Sequence, residues 1–224
     1  MLTRMGQQRD GRLFPLLASV LWWTVCGWSA CAPAGDTGVS LVFAGDVLLD
    51  RGVARVLDSA WPERSLADVA TVTSRADIAF CNLECPLTER ERFPKVFSFA
   101  GNPAYVGVLK RAGFSIVSLA NNHTLDCGKA GLLETMEILR RAGIAFCGAA
   151  GTAAAARSPT ILVRRGLRIG FLAYSDFPPE GVVLLPDRPA IAVLDDETVA
   201  AEIRAARQQV DLLVVSFHWR WEYQ

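Results

Sequence analysis

The residues best suited to chemistry in this chain stand directly after short apolar runs. Asp46 follows Val39 to Gly45, Asn82 and Glu84 follow Ile78 to Cys81, Asn121, Asn122 and His123 follow Ser115 to Ala120, and His218 follows Asp211 to Phe217. The chain has 2 histidines, and both belong to this set. A carboxylate pair, an asparagine carbonyl and imidazoles form a mixed oxygen and nitrogen donor set, which suits manganese, iron or zinc better than calcium or a thiolate metal. Asp46 and Glu84 supply negative charge, and a carboxylate can bridge two cations. In a two-metal site the ions activate water and clamp the attacking and departing oxygens. His123 can then protonate a leaving group or stabilise charge. Asn82 stands behind these residues as a supporting group. Asp126 has two readings, as an acceptor that orients His123 or as the cap of a helix beginning near Gly128. Trp219, Trp221 and Tyr223 either hold a polymer or belong to the core.

The elements that must position these residues alternate. Strands are predicted over Val39 to Ala44, Ile78 to Cys81, Ser115 to Ala120 and Ile144 to Phe146. A hairpin of Ile161 to Val163 and Leu167 to Ala173 is bracketed by Arg164-Arg165-Gly166, and Asp211 to Phe217 is a last strand. Helices are predicted over Leu66 to Ser74 with Ser65 as cap, over Pro103 to Ala112 with Asn102 as cap, over Lys129 to Ala142 ending at Gly143, and over Glu197 to Gln208. Such alternation favours a mostly parallel sheet covered on both faces. In open α/β sheets ligands bind beyond the carboxyl ends of the strands. Asp46, Glu84, Asn122 and His218 are therefore expected to converge at that edge. Ser175-Asp176 also ends an apolar run but opens the Pro178-Pro179 loop, and it is left out of the site.

With 224 residues, 51% hydrophobic and 21% charged, the chain can bury one substantial core. Lysine plus arginine equals 23 and aspartate plus glutamate equals 23, so no net positive field draws the chain to phosphate backbones, which excludes nucleic acid as a natural partner. Arg4, Arg9 and Arg12 precede an uncharged stretch from Leu13 to Ser29 that meets small residues and Cys31. Residues 1–31 thus read as a signal peptide or membrane anchor, residues 32–38 as a linker and residues 39–224 as the folded domain. Three readings of the export segment stand side by side: a lipoprotein signal with Cys31 as the lipidated residue, an uncleaved anchor, and a simple cleaved signal. All three place the domain outside the cytoplasm. Cys81, Cys85, Cys127 and Cys147 read as small buried hydrophobes. No second cysteine or histidine pair follows Cys81 and Cys85 at a spacing that zinc uses.

Four segments, in order, carry a resemblance to a known family. They are Leu41 to Leu49 around Gly45-Asp46, Asp77 to Thr88 around Asn82-Leu83-Glu84, Ser118 to Gly128 around Asn121-Asn122-His123, and His218 to Tyr223. Together they resemble the successive motifs of the CapA family of poly-gamma-glutamate capsule biosynthesis proteins. The resemblance implies a layered α/β fold similar to calcineurin-like metallophosphatases. It implies Asp46, Glu84 (in the bridging place), Asn122 and His218 as ligands of one or two divalent ions (Mn, Fe or Zn), with His123 as the catalytic-type histidine. It also implies a place in the bacterial cell envelope, other capsule-synthesis membrane proteins as partners, and an anionic polymer or phosphoester as substrate. The metallophosphatase Asp-x-His opening is absent, since Val47 and Leu48 follow Asp46. Arg220 stands where the family usually has glycine. The family continues past the His-Trp motif to a Gly-His-x-x-His-type segment, so the domain is expected to be incomplete on its C-terminal side. Two functions follow as expectations: a metal-dependent hydrolase or transferase, or a non-catalytic scaffold or polymer-binding component of a capsule synthesis and export complex.

Overall fold

Apolar runs whose two faces are both covered form parallel strands, and four of them do so here. In the computed structural model, which describes residues 38–58, 66–179 and 181–219, β1 (Leu41–Val47), β2 (Ile78–Leu83), β3 (Ile116–Ser118) and β4 (Ala145–Cys147) lie side by side in that order, all parallel. β2 is buried at every position. The connections carry α1 (Arg51–Asp58) and α2 (Ala67–Thr73) before β2, α3 (Val106–Arg111) before β3, and α4 (Gly128–Ala142) before β4. Beyond them, β5 (Ala149–Ala150) leads through α5 (Ala153–Ala156) to the hairpin of β6 (Thr160–Arg164) and β7 (Leu167–Ser175), then β8 (Ala190–Ile191), α6 (Val199–Arg207) and β9 (Leu212–His218). β5 and β8 pair with each other. β6, β7 and β9 form a second sheet in that order, with β7 and β9 parallel.

The single sheet expected from the sequence is thus two stacked sheets, with helices on both outer faces. Ala79, Cys81, Leu83 and Val117 face a cluster with Val108 and Leu109 of α3 and Leu132 and Leu139 of α4. Ile78, Phe80 and Ile116 face Ile169, Phe171 and Ala173 of the second sheet, where the Phe80 and Phe171 rings stack with centres 5.9 Å apart. Leu172 and Tyr174 point the other way, to Ala156 of α5 and Ala206 of α6. Burying a Leu, Ile or Phe side chain contributes roughly 1.5–3 kcal/mol, so three stacked apolar seams hold the four layers. Gly148 lies at one junction: a Cβ on it would fall 2.6 Å from Ala120 Cβ and 2.9 Å from Ala173 Cβ, and its φ is +76°. Only glycine lets the chain pass there.

Strand periodicity decides which residues reach the site. Asn82 shares a face with Ile78 and Phe80, so it looks toward the second sheet. His218 shares a face with Val214, so it looks toward the first. Asp46 is aimed differently. β1 and β2 pair Phe43 with Phe80 and then Asp46 with Asn82, so β1 carries one residue more than its partner in between. Plain alternation from Phe43 would turn Asp46 to the helix side; the bulge returns it to the face of Asn82.

Several boundaries differ from expectation. Asp46 and Asn82 lie inside their strands and His218 is the last residue of β9, because ladder pairing continues past the apolar residues. The helix expected from Pro103 divides into a 3-10 turn, Pro103–Tyr105, and α3, with Asn102 Oδ1 accepting from Ala104 N at 2.9 Å. α1 and α5 are additional to the expected helices, since Gly52 and the valines of α1 and the four-residue length of α5 give weak helical signals. α2 begins at Ala67 after Leu66 at φ 62°, and Ser65 lies outside the described residues. So do the whole export segment with Cys31, residues 32–37 of the linker, Arg220, Trp221 and Tyr223. Among the described residues no helix is long and apolar enough to cross a membrane.

Two arginines adopt left-handed backbone. Arg165 and Gly166, at φ 49° and 82°, form the turn of the β6–β7 hairpin, where primed turns require positive φ. Arg51, at φ 54°, opens α1 and has no hairpin to explain it. That conformation costs an L-residue other than glycine roughly 1–2 kcal/mol.

Candidate functional site

His218 is where the strand-end residues meet. Asn82 Nδ2 donates to Asp46 Oδ1 at 2.7 Å and lies 3.3 Å from His218 Nδ1. His218 Nε2 lies 2.9 Å from Asn122 Oδ1. The same histidine has Nδ1 3.8 Å from Asp46 Oδ1 and Nε2 3.9 Å from Glu84 Oε1. Asp46, Glu84, Asn122 and His218 are therefore brought together at the carboxyl ends of β1, β2, β3 and β9, with Asn82 between Asp46 and His218. The backbone of His218 is pinned as well, since Asp176 N donates to its carbonyl at 2.9 Å.

Asn122 links this group to the second histidine. Its Nδ2 lies 3.0 Å from His123 Nε2, so one amide joins both imidazoles. With its nitrogen donating to His123 and its oxygen accepting from His218 Nε2–H, every polar atom of that bridge is matched. His123 Nδ1 lies 2.9 Å from Asp126 Oδ2, and Phe99 N donates to the same oxygen at 2.7 Å. Lys95 Nζ lies 2.6 Å from Asp126 Oδ1, and both side chains are nearly or wholly buried. The Phe99 ring packs on the imidazole with centres 4.2 Å apart. Of the two readings of Asp126, the cap fails: no side chain caps α4, and the carboxylate is taken up by His123, Phe99 and Lys95.

Asn121, one of the strand-end residues but given no role of its own by the sequence, supports both groups. Wholly buried, it donates to Asn82 Oδ1 at 3.0 Å and Leu83 O at 2.9 Å. Its Oδ1 accepts from His123 N at 3.0 Å and Thr124 Oγ1 at 3.0 Å. It stitches the end of β2 to the turn that carries Asn122 and His123. The signal available was an asparagine pair after a strand, in which both members have work to do.

The cysteines take no part. Burial pushes the Cys85 and Cys147 thiols up to about 12 and the Cys127 thiol up to about 11, and metal binding requires thiolate. Ser175 Oγ donates to Phe177 O at 2.9 Å, closing a turn beside His218, whose ring has its centre 6.1 Å from that of Phe177. Trp219 is 70% exposed, so the core reading fails for it.

In type, the donors fit a first-row divalent cation, with two carboxylates, an amide oxygen and an imidazole within one hydrogen-bonded group. In arrangement, Asn122 is hydrogen-bonded to His218, while Asp46 and Glu84 lie 3.8 and 3.9 Å from it. Among the described residues, no three His, Cys, Asp or Glu side chains form a ready-made metal cage.

The model of the family described as bacterial capsule synthesis protein PGA_cap matches residues 40–224. The chain belongs to this family. The chain is similar to the PGA biosynthesis protein CapA of Bacillus subtilis, 24% identical over 215 residues, covering 94% of this chain and 57% of that protein. The capsule biosynthesis protein CapA of Bacillus anthracis is 23% identical over 194 residues, covering 83% of this chain and 47% of that protein. A probable polyglutamine synthesis accessory protein of Mycobacterium tuberculosis is 28% identical over 234 aligned positions, covering 83% of this chain and 61% of that protein. The chain spans about half the length of the curated relatives it matches. The matched region contains every residue of the His218 and His123 groups.

Proposed function

We propose that this PGA_cap chain takes part in making poly-gamma-glutamate or a similar capsular polymer at the bacterial cell envelope. The names of its relatives support this role. Asp46, Glu84, Asn122 and His218 hold one or two divalent ions, manganese, iron or zinc, and the substrate is an anionic polymer or a phosphoester. The observation that carries the metal reading is the single histidine, His218, standing within 4 Å of Asp46, Glu84 and Asn122. Bound there, the ion would supply Lewis-acid activation of water or of a substrate oxygen.

The remaining roles belong to the chain's own groups. Asp126 fixes the Nδ1–H form of His123, and Asn122 holds its Nε2 side toward the ligand group. His123 can thus accept or return a proton at Nε2. Phe99 excludes water from the opposite face of the ring. Residues 1–31 export the domain, with Cys31 as lipid attachment point, and other capsule-synthesis membrane proteins are its partners.

Metal analysis by mass spectrometry tests the reading on three proteins. The natural chain should carry a divalent transition metal, Glu84→Ala should lose most of it because a bridging carboxylate neutralises two cations, and His123→Ala should keep it. If turnover is found, His123→Ala should lower it by about a hundredfold or more. Equal, negligible metal in all three would leave the second reading, a scaffold or polymer-binding component of a capsule synthesis and export complex. One observation favours that second reading: His218 Nε2 and Asn122 Oδ1 are already hydrogen-bonded to each other, and Asp46 Oδ1 to Asn82.

A further inference from the structure

Two of the cations around His123 are already matched with buried carboxylates. Lys95 pairs with Asp126, and Arg92 Nη1 lies 2.9 Å from Asp50 Oδ2. Arg51 differs. Its guanidinium lies 4.7 Å from the centre of the Phe99 ring and 5.2 Å from that of Phe97, and among the described residues it has no carboxylate partner. Phe99 is the ring that packs on His123. The cation thus sits one aromatic ring away from the histidine.

Its backbone adds a second observation. Arg51 holds φ 54° at a position where glycine would be at ease, while the next residue, Gly52, is not in the left-handed region and a Cβ on it would meet nothing within 4 Å. The residue that would gain from being glycine is arginine, and the glycine beside it has no steric need to be one. A strained position that retains a long charged side chain points from geometry to use.

We propose that Arg51 is an oxyanion-recognition arm of the site, taking a carboxylate or phosphate oxygen of the substrate beside His123. This rests on the reading above that the substrate is anionic. Arg51 is exposed and its guanidinium lies against the Phe97 and Phe99 rings; a guanidinium held on aromatic rings can still offer its fork of N–H donors for bidentate contact with an oxyanion. The rings also restrict the side chain before binding, so less freedom is lost when a ligand arrives. Asp46 and Glu84 by themselves repel an anionic chain, and Arg51 offers the compensating attraction at the rim.

The test uses the full chain, a short gamma-linked glutamate oligomer as one probe and inorganic phosphate as another, with affinity read by calorimetry and metal content measured in parallel. Arg51→Gly removes the cation and relaxes the backbone. The exchange Arg51→Gly with Gly52→Arg keeps composition and net charge but moves the guanidinium off its rings. Both variants should melt no lower than the natural chain, keep its metal content, and bind the oligomer about tenfold or more weakly, as expected for losing a hydrogen-bonded charge contact. Oligomer affinity within about twofold of natural in both variants would overturn the proposal, as would loss of metal alongside affinity or failure of the natural chain to bind either probe. Binding of phosphate but not oligomer, lost in Arg51→Gly, would uphold the arm and sink the polyglutamate reading of the substrate.

Discussion

The two histidines of this chain sit in contrasting surroundings. His123 is 7% exposed and its dyad partner Asp126 is 1% exposed, with Lys95 and Phe99 N on the carboxylate and the Phe99 ring on one face of the imidazole. The His218 group is open: the Asp46 side chain is 52% exposed, that of His218 17% and that of Glu84 15%. The first group is saturated and fixed. The second is held by the amide hydrogen bonds of Asn82 and Asn122, with the Asp46 carboxylate at its solvent side. The two groups occupy neighbouring strand ends joined by one residue, Asn122.

This contrast predicts opposite responses to substitution. The largest effect belongs to Lys95→Met, which leaves the Asp126 carboxylate buried without its cation; stability should fall by about 3–5 kcal/mol, read by chemical denaturation. A loss below about 1 kcal/mol would mean that His123 and Phe99 N suffice to hold Asp126. Asn121→Ala comes next, at about 2–3 kcal/mol, since it strands the buried Leu83 carbonyl and His123 amide. It should also disturb both histidine ring signals by NMR, because Asn121 supports both groups. Asp46→Asn should move stability by no more than about 0.5 kcal/mol yet remove metal, as measured by mass spectrometry. A large stability loss there would place Asp46 with the rigid group instead. The smallest effect is expected from thiol reagents at pH 8. Burial holds Cys85 at about 12 and Cys127 at about 11, so the folded domain should stay unlabelled until it is unfolded.

Much of this was legible in the sequence. Apolar runs gave the parallel strands, and the polar residue after each run gave Asp46, Glu84, Asn122, His123 and His218 as one edge. What the sequence hid is physical rather than statistical. Two stacked sheets and one sheet with two covered faces produce the same apolar runs, so the split between β4 and β7 left no mark. The loop from Arg92 to Ala100 has no periodicity, so nothing announced that Lys95 and Phe99 would enclose Asp126. Asp126 itself could serve a helix end or a histidine equally well by spacing, and only the position of that loop decides. Asn121 was hidden by its neighbour, since an adjacent Asn-His pair draws attention away from the amide that supports it.

The extra residue in β1 has a consequence for chain length. Gly45 and Ala44 together face the stretch that Cys81 fills on β2, and nothing lies within 4 Å of where a Gly45 Cβ would be. Asp46 is therefore indexed by its partner Asn82 and not by its distance from the start of the strand. Deleting Gly45 should straighten β1 while Asp46 keeps its seat opposite Asn82, whereas deleting Val47 should shift the chain feeding Leu49 and Asp50 out of step. The strand behaves as a line with one slack link, placed immediately before the carboxylate whose position matters. Comparing the melting temperatures of the two single-residue deletions would reveal whether that slack is real, with a small loss in the first and a large one in the second, which displaces the buried Leu49 and Asp50.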